Sequence, residues 1–345
     1  MKNIFKITLI AGFVINISQL LAQNPVPAKA QTKTVMMQNC TIHVGNGTVV
    51  TNGEIVFSNG LITYVGPVTK NSPNNSTIIN LEGKHVYPGL ISMDNHLGLS
   101  DIESIAAVND YQETGSINPN VRTLVAYNTD SDVIPTVRGN GILISQAAPT
   151  GGLISGQSTV FNLDGWNWQD AALKVDDGVW LNWPAMFSNT FSQETMSIVR
   201  AKNEKRKESV QELSKLLKES LAYSFNKSPR NLKLEAMVGL FDGSKVLNIR
   251  SEIAKEIIEA VQFAKAHQVK KIAIFGGSEA AECADFLKEN NIPVVFNGVH
   301  LVPTRADDPV YTNYNLPNIL HKAGIQTVIS YGGLGWRTRN LPFLA

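Results

Sequence analysis

The sequence is short of the features that mark several protein classes. Only two cysteines, Cys40 and Cys283, occur in 345 residues. They lie far apart, so a cysteine metal cluster is excluded and no disulfide framework is implied. Charge of one sign is also missing: the formal net charge is +1. A nucleic-acid or membrane-surface partner normally needs a basic excess, so neither is expected. IFGGSEAAECADFL places glycines between a strand and a helix but has neither G-x-G-x-x-G spacing nor a Walker lysine. Ser278 as a helix N-cap accounts for it. A G-x-S-x-G nucleophile elbow is absent as well.

One apolar run stands out, and it reads as targeting rather than structure. Lys2 and Lys6 precede ITLIAGFVINI, and SQLLAQ offers a cleavage point after Ala22. The run is short for a bilayer span. Residues 1–22 are therefore read as a signal peptide. The mature protein is expected to be periplasmic or secreted, with no membrane span once the signal is removed.

What remains is 43% hydrophobic and large enough for a sizeable core. Residues 23–34 form a polar linker. Residues 35–85 carry β-rich runs (CTIHV, GEIVF, LITYVG) punctuated by Asn46-Gly47, Asn52-Gly53 and Asn59-Gly60. Asn-Gly accepts the positive φ that tight hairpins demand, so this part is predicted as a small β-sandwich part. From residue 86 to 345 the rhythm lengthens. Strand-like runs occur at VYPGLISM, NGILISQAA, STVFNL, LEAMVGL, VLNIR, KIAIFG, IPVVFNG and TVISYG, with helical stretches between the later ones. Such alternation predicts an α/β fold, a (β/α)8 TIM-like barrel, with a doubly wound sheet as the alternative. ETMSIVRAKNEKRKESVQELSKLLKESLAYSF reads as one long charged helix or a helix pair covering the barrel. The apolar ending LGWRTRNLPFLA, with no helix after the last strand, suggests a C-terminally incomplete barrel.

The hairpin preamble followed by GKHVYPGLISMDNHLGL resembles the amidohydrolase superfamily, and within it the imidazolonepropionase-like branch. Typical members read G-K-x-V-x-P-G-[LF]-I-D-x-H-x-H-L-G at this point. TGGLISGQSTVFNLDGW and LEAMVGLFDGSKVLNIRSEIAKEIIEAVQFAKAH extend the resemblance over most of the chain. It implies an exported hydrolase acting on non-peptide or cyclic C–N (amide) bonds. Its cofactor would be a divalent metal (zinc, manganese or iron) that activates water.

The family's ligand positions, taken one by one, are mostly changed. Asp94 stands for the first histidine of His-x-His, His96 for the second, and Ser92 for the preceding aspartate. Arg250 occupies the strand-5 histidine position, and a guanidinium has no lone pair to give a metal. Gly276-Gly277 stand at strand 6, and Ser330-Tyr331-Gly332 replace Ser-Asp at strand 8. Glu235 is the nearest strand-4 candidate and falls on an approach helix. Asp94, His96 and Arg250 are the expected catalytic residues, with Asp94 and His96 as the metal ligands of an altered or metal-poor site. Arg250 either meets a substrate carboxylate or oxyanion, or pairs with Asp94, Glu252 or another acid.

HLVPTRADDPVYTNYNLP falls at the C-terminal face of the barrel, which makes His300, Arg305 and Asp307 candidate substrate contacts or a surface loop. Trp166, Trp168, Trp180 and Trp183 crowd one segment, as pocket lining or core. His43, His85, His267 and His321 are read as structural. Three functions stay open: a hydrolase of small cyclic or peptide-like compounds, a pseudoenzyme binding a small ligand at the barrel mouth, and a structural partner of an active paralogue. A homo-oligomer or paralogue complex is the partner expectation.

Overall fold

The computed structural model describes residues 27–69, 75–102, 105–193, 196–303, 305, 307–333 and 335–344. The signal segment lies outside the described residues. The chain divides into two compact units between Leu90 and Ile91.

The first unit is one five-stranded sheet built from β1 (Val35–His43), β2 (Val49–Ser58), β3 (Leu61–Pro67), β4 (Thr77–Asn80) and β5 (His85–Val86). Its path is β3-β2-β1-β4, with β5 also pairing β1. Met36, Cys40 and Ile42 alternate along β1 and are buried, as the two-residue period of a strand requires. Two of the Asn-Gly pairs are turns, and one is not. Asn59 and Gly60 take φ of +52° and +74° and close the two-residue β2–β3 hairpin. Asn52-Gly53 instead lies inside β2, where Cys40↔Gly53 is followed by Ile42↔Val50. The positive φ signalled by that pair is used for a β-bulge rather than a turn.

The second unit is an α/β barrel. Its eight-stranded sheet contains β6 (Leu90–Asn95), β7 (Ile142–Ala147), β8 (Ile154–Asn162), β9 (Ala172–Asn182), β12 (Val246–Ser251), β13 (Ile272–Gly276), β14 (Val294–Phe296) and β15 (Thr327–Ile329). The sheet curls until its edges meet. Asn95 and Gly333 form a parallel bridge, His96 N–H donates to Gly333 O at 2.8 Å, and Gly333 N–H donates to Asp94 O at 2.7 Å. A hairpin of β10 (Phe187–Ser192) and β11 (Ser197–Lys202) stands apart from this sheet.

From β9 onward the strands obey the expected parallel order β9-β12-β13-β14-β15. The first half departs from it, because β8 runs antiparallel to both β7 and β9. The turn into β8 is tight. Gly152 has φ +63°, and a Cβ there would sit 2.7 Å from the Ser116 carbonyl oxygen.

One strand expectation and one helix expectation need correction. LEAMVGL is helical: Asn231 Oδ1 accepts from the N–H groups of Lys233 and Leu234, capping the helix Leu232–Met237. Its place among the strands is taken by β9. Likewise Ser197–Lys202 belongs to the hairpin, so the long charged helix starts only at Arg206 and runs to Phe225. The β-branched pair Ile198-Val199 favours the strand.

Alternation decides what fills the barrel. Trp180, Ala273, Phe275 and Val295 pack together with Ala148 in one cluster. The intervening Val179, Leu181, Leu247, Ile249, Ile274 and Val294 belong to another, which includes Leu213, Leu216 and Leu217 of Arg206–Phe225 and Ile257, Ala260, Val261 and Ala264 of Ala254–Ala266. Burying each such aliphatic or aromatic side chain contributes about 1.5–3 kcal/mol. Cys283 is a buried free thiol in this unit, and Cys40 is one in the first.

Candidate functional site

β6 ends in a constrained peptide. Asp94 has φ +53°, uncommon for a residue with a Cβ. Hydrogen bonds hold its neighbours on both sides. Ser330 Oγ bridges the Met93 N–H and carbonyl, and Asn95 Oδ1 accepts from Ser145 Oγ (2.9 Å) and Leu97 N–H (3.0 Å). Such over-determination keeps the buried Asp94 carboxyl in one place.

Arg250, on β12, reaches that carboxyl. Its Nη2 donates to Asp94 Oδ1 at 2.5 Å and to the Pro149 carbonyl at 3.0 Å, and Nη1 donates to Asn182 Oδ1 at 3.4 Å. The guanidinium lies over the Trp180 ring, 4.2 Å from its centroid. Asn297 Nδ2 donates to Asp94 Oδ2 at 3.5 Å. The acidic partner of Arg250 is therefore Asp94, whereas Glu252 accepts from Ser278 N–H and Oγ at 3.0 and 2.7 Å. Ser278 thus serves Glu252 and not a helix N-cap.

His96 completes the group. Its ring stacks on Tyr111 with centroids 4.0 Å apart, and its buried Nε2 has no hydrogen-bond partner among the described residues. Burial lowers its pKa to about 4; Asp94 works against this and Arg250 adds to it. The imidazole is neutral at pH 7.

The three expected catalytic side chains are thus brought together, whereas the substrate candidates sit at the exposed rim. His300 Nδ1 lies 3.3 Å from Tyr331 Oη. Arg305 is held by Glu279 at 2.6 Å and Glu282 at 3.4 Å, and Asp307 is exposed with no recorded tie to Asp94, His96 or Arg250. The four tryptophans do not form one cluster. Trp180 and Trp183 are core, and Trp166 is 65% exposed.

A divalent ion does not fit this donor set. A catalytic site uses about three protein ligands, and among the described residues no three His, Cys, Asp or Glu side chains gather to hold one. Asp94 already faces a guanidinium, whose charge repels a cation.

Sequence reasoning overlooked Asn182, Asn297, Tyr111 and the Pro149 carbonyl. The two asparagines carried a signal: each follows an apolar strand run, VWLN and VVFN, at the strand end where barrel sites are built.

No family model matches the chain, and no curated protein matches its sequence. Solved structures do. An amidohydrolase from Thermotoga maritima MSB8 superimposes with a TM-score of 0.74 at 18% identity, over 86% of this chain and 78% of that one. A Xaa-Pro dipeptidase with bound methionine gives 0.49 at 12% identity, over 90% and 83%. N-isopropylammelide isopropylaminohydrolase from Burkholderia multivorans gives 0.41 at 12%, over 88% and 76%. The fold is that of the amidohydrolases. Among the described residues no helix is long and apolar enough to cross a membrane.

Proposed function

We propose that the protein is an exported hydrolase of carbon–nitrogen bonds in small non-peptide or cyclic amides, working through Arg250, Asp94 and His96. One observation carries this reading: in a barrel of amidohydrolase fold, those three side chains converge at the ends of β6 and β12. The name of the Thermotoga protein supports the reaction class. Export rests on the Lys2/Lys6 start, the apolar run and the Ala22 cleavage point.

Each residue has a task suited to its surroundings. Asp94 fixes the guanidinium. Arg250 uses its remaining N–H groups to hold a substrate carboxylate or polarise an amide carbonyl. His96, neutral and stacked on Tyr111, is the uncharged base beside the pair. His300, Arg305 and Asp307 contact substrate from the rim.

A second reading, a pseudoenzyme that binds such compounds without turnover, is favoured by the ion pair itself. Asp94 neutralises Arg250, and the donor set does not suit a metal. Turnover and binding of a panel of cyclic amides and dipeptides separate the two, measured on the full chain beside Arg250→Ala and with elemental analysis of both proteins. Turnover lost in Arg250→Ala supports the hydrolase. Binding without turnover, lost in the same variant, supports the second reading. Neither binding nor turnover in the parent would sink both.

A further inference from the structure

β12 is basic at both ends. Arg250 lies near its C-terminal end, and Lys245 immediately precedes Val246 at its start. Lys245 borders a separate cavity of about 490 Å³ beside Asp176 of β9 and the helix Leu232–Met237. Five steps of strand put the Cα atoms of Lys245 and Arg250 about 16 Å apart.

Three cations line this cavity: Arg122, Arg230 and Lys245. Two carboxylates, Asp176 and Glu235, line it too, leaving one formal positive charge. Both arginines meet their acids through Nε. Arg122 Nε donates to Asp176 at 2.8 and 2.9 Å, and Arg230 Nε donates to Glu235 at 3.0 Å. Their terminal nitrogens therefore keep donors for an occupant, in the planar fork that matches a carboxylate. Lys245 Nζ donates to Gln157 Oε1 and to the Ala236 carbonyl, and a third proton remains. Burial lowers the pKa of this lysine, so a bound anion offsets a desolvated charge.

We propose that this cavity is a second ligand site, distinct from the Asp94–Arg250 centre, which takes a small monoanionic carboxylate. The net charge selects one negative charge, and the guanidinium forks select a planar carboxylate. Its volume lies within the range of small-molecule pockets.

Calorimetric titration of the full chain with glycolate, acetate and inorganic phosphate tests the assignment. Glycolate and acetate are each expected to bind more tightly than phosphate. Lys245→Met and Arg230→Ala are each expected to weaken a glycolate site about tenfold, the effect of one lost charge-assisted hydrogen bond. That site should persist in Arg250→Ala. Arg230 is largely exposed, so its variant preserves the fold even where Lys245→Met does not. Unchanged glycolate affinity in both Arg230→Ala and Lys245→Met, or loss in Arg250→Ala alone, overturns the site. Phosphate binding more tightly than glycolate overturns the monoanionic-carboxylate assignment.

Discussion

Two arginine–carboxylate pairs on the barrel have nearly the same geometry and very different surroundings. Arg250 meets Asp94 at 2.5 Å with side chains 20% and 7% exposed; Arg305 meets Glu279 at 2.6 Å with 49% and 16%. Distance alone would rank them together. Solvent separates them, because water screens the rim pair and pays back the hydration of a broken one, whereas protein encloses most of the inner pair. A short ion pair is informative about function where water reaches little of either partner.

Breaking the inner pair should have the largest effect. Asp94→Ala leaves the Arg250 charge with only neutral acceptors, and urea unfolding is expected to show a loss of about 3–5 kcal/mol. Asp94→Ala/Arg250→Met should recover part of that loss. A change under about 1 kcal/mol for Asp94→Ala would place the inner pair with the surface pairs.

Acid probes the same pocket through His96. Its folded pKa, about 4, is below the ordinary value of 6.5. As pH falls through 6.5 the unfolded chain takes up a proton that the folded protein refuses, so stability is lost between roughly pH 6.5 and 4. It is complete above the upper value. The loss approaches about 3 kcal/mol at the acid limit. His96→Gln should flatten that part of a stability–pH curve measured by urea unfolding. An unaltered slope would mean that the imidazole is not the group responsible.

Smaller again is the support beneath Asp94. Ser330 is fully buried, and Ser330→Ala deprives the Met93 peptide of its side-chain partner. A cost of about 1–3 kcal/mol is expected in the same unfolding assay. Arg305→Ala, at the rim, should leave the thermal midpoint where it was, and a clear drop would erase the contrast between the two pairs.

How far the sequence disclosed this centre follows from where its information lies. Asp94, His96 and Arg250 were legible because each falls on a ligand position of the amidohydrolase pattern. Their pairing was only one alternative among several acids, since 156 residues separate Asp94 from Arg250 and only barrel curvature makes them neighbours. The alternation in β9 was hidden by the D-D-G and tryptophan-rich setting, and LEAMVGL looked like a strand because the capping role of Asn231 was not weighed. The antiparallel β8 carries no signature of direction: an apolar run reads the same whichever way its neighbours point.

The bridge between Asn95 and Gly333 has a temporal meaning. Asp94 and His96 flank the seam where the first and last barrel strands join, and the Ser330–Met93 bonds there link residues 237 apart. Contacts that distant must meet a large loop-closure entropy before they are rewarded, so they are expected late in folding. The centre is then expected among the last parts of the protein to come into being, and a ligand held at Arg250 would time the completion of folding.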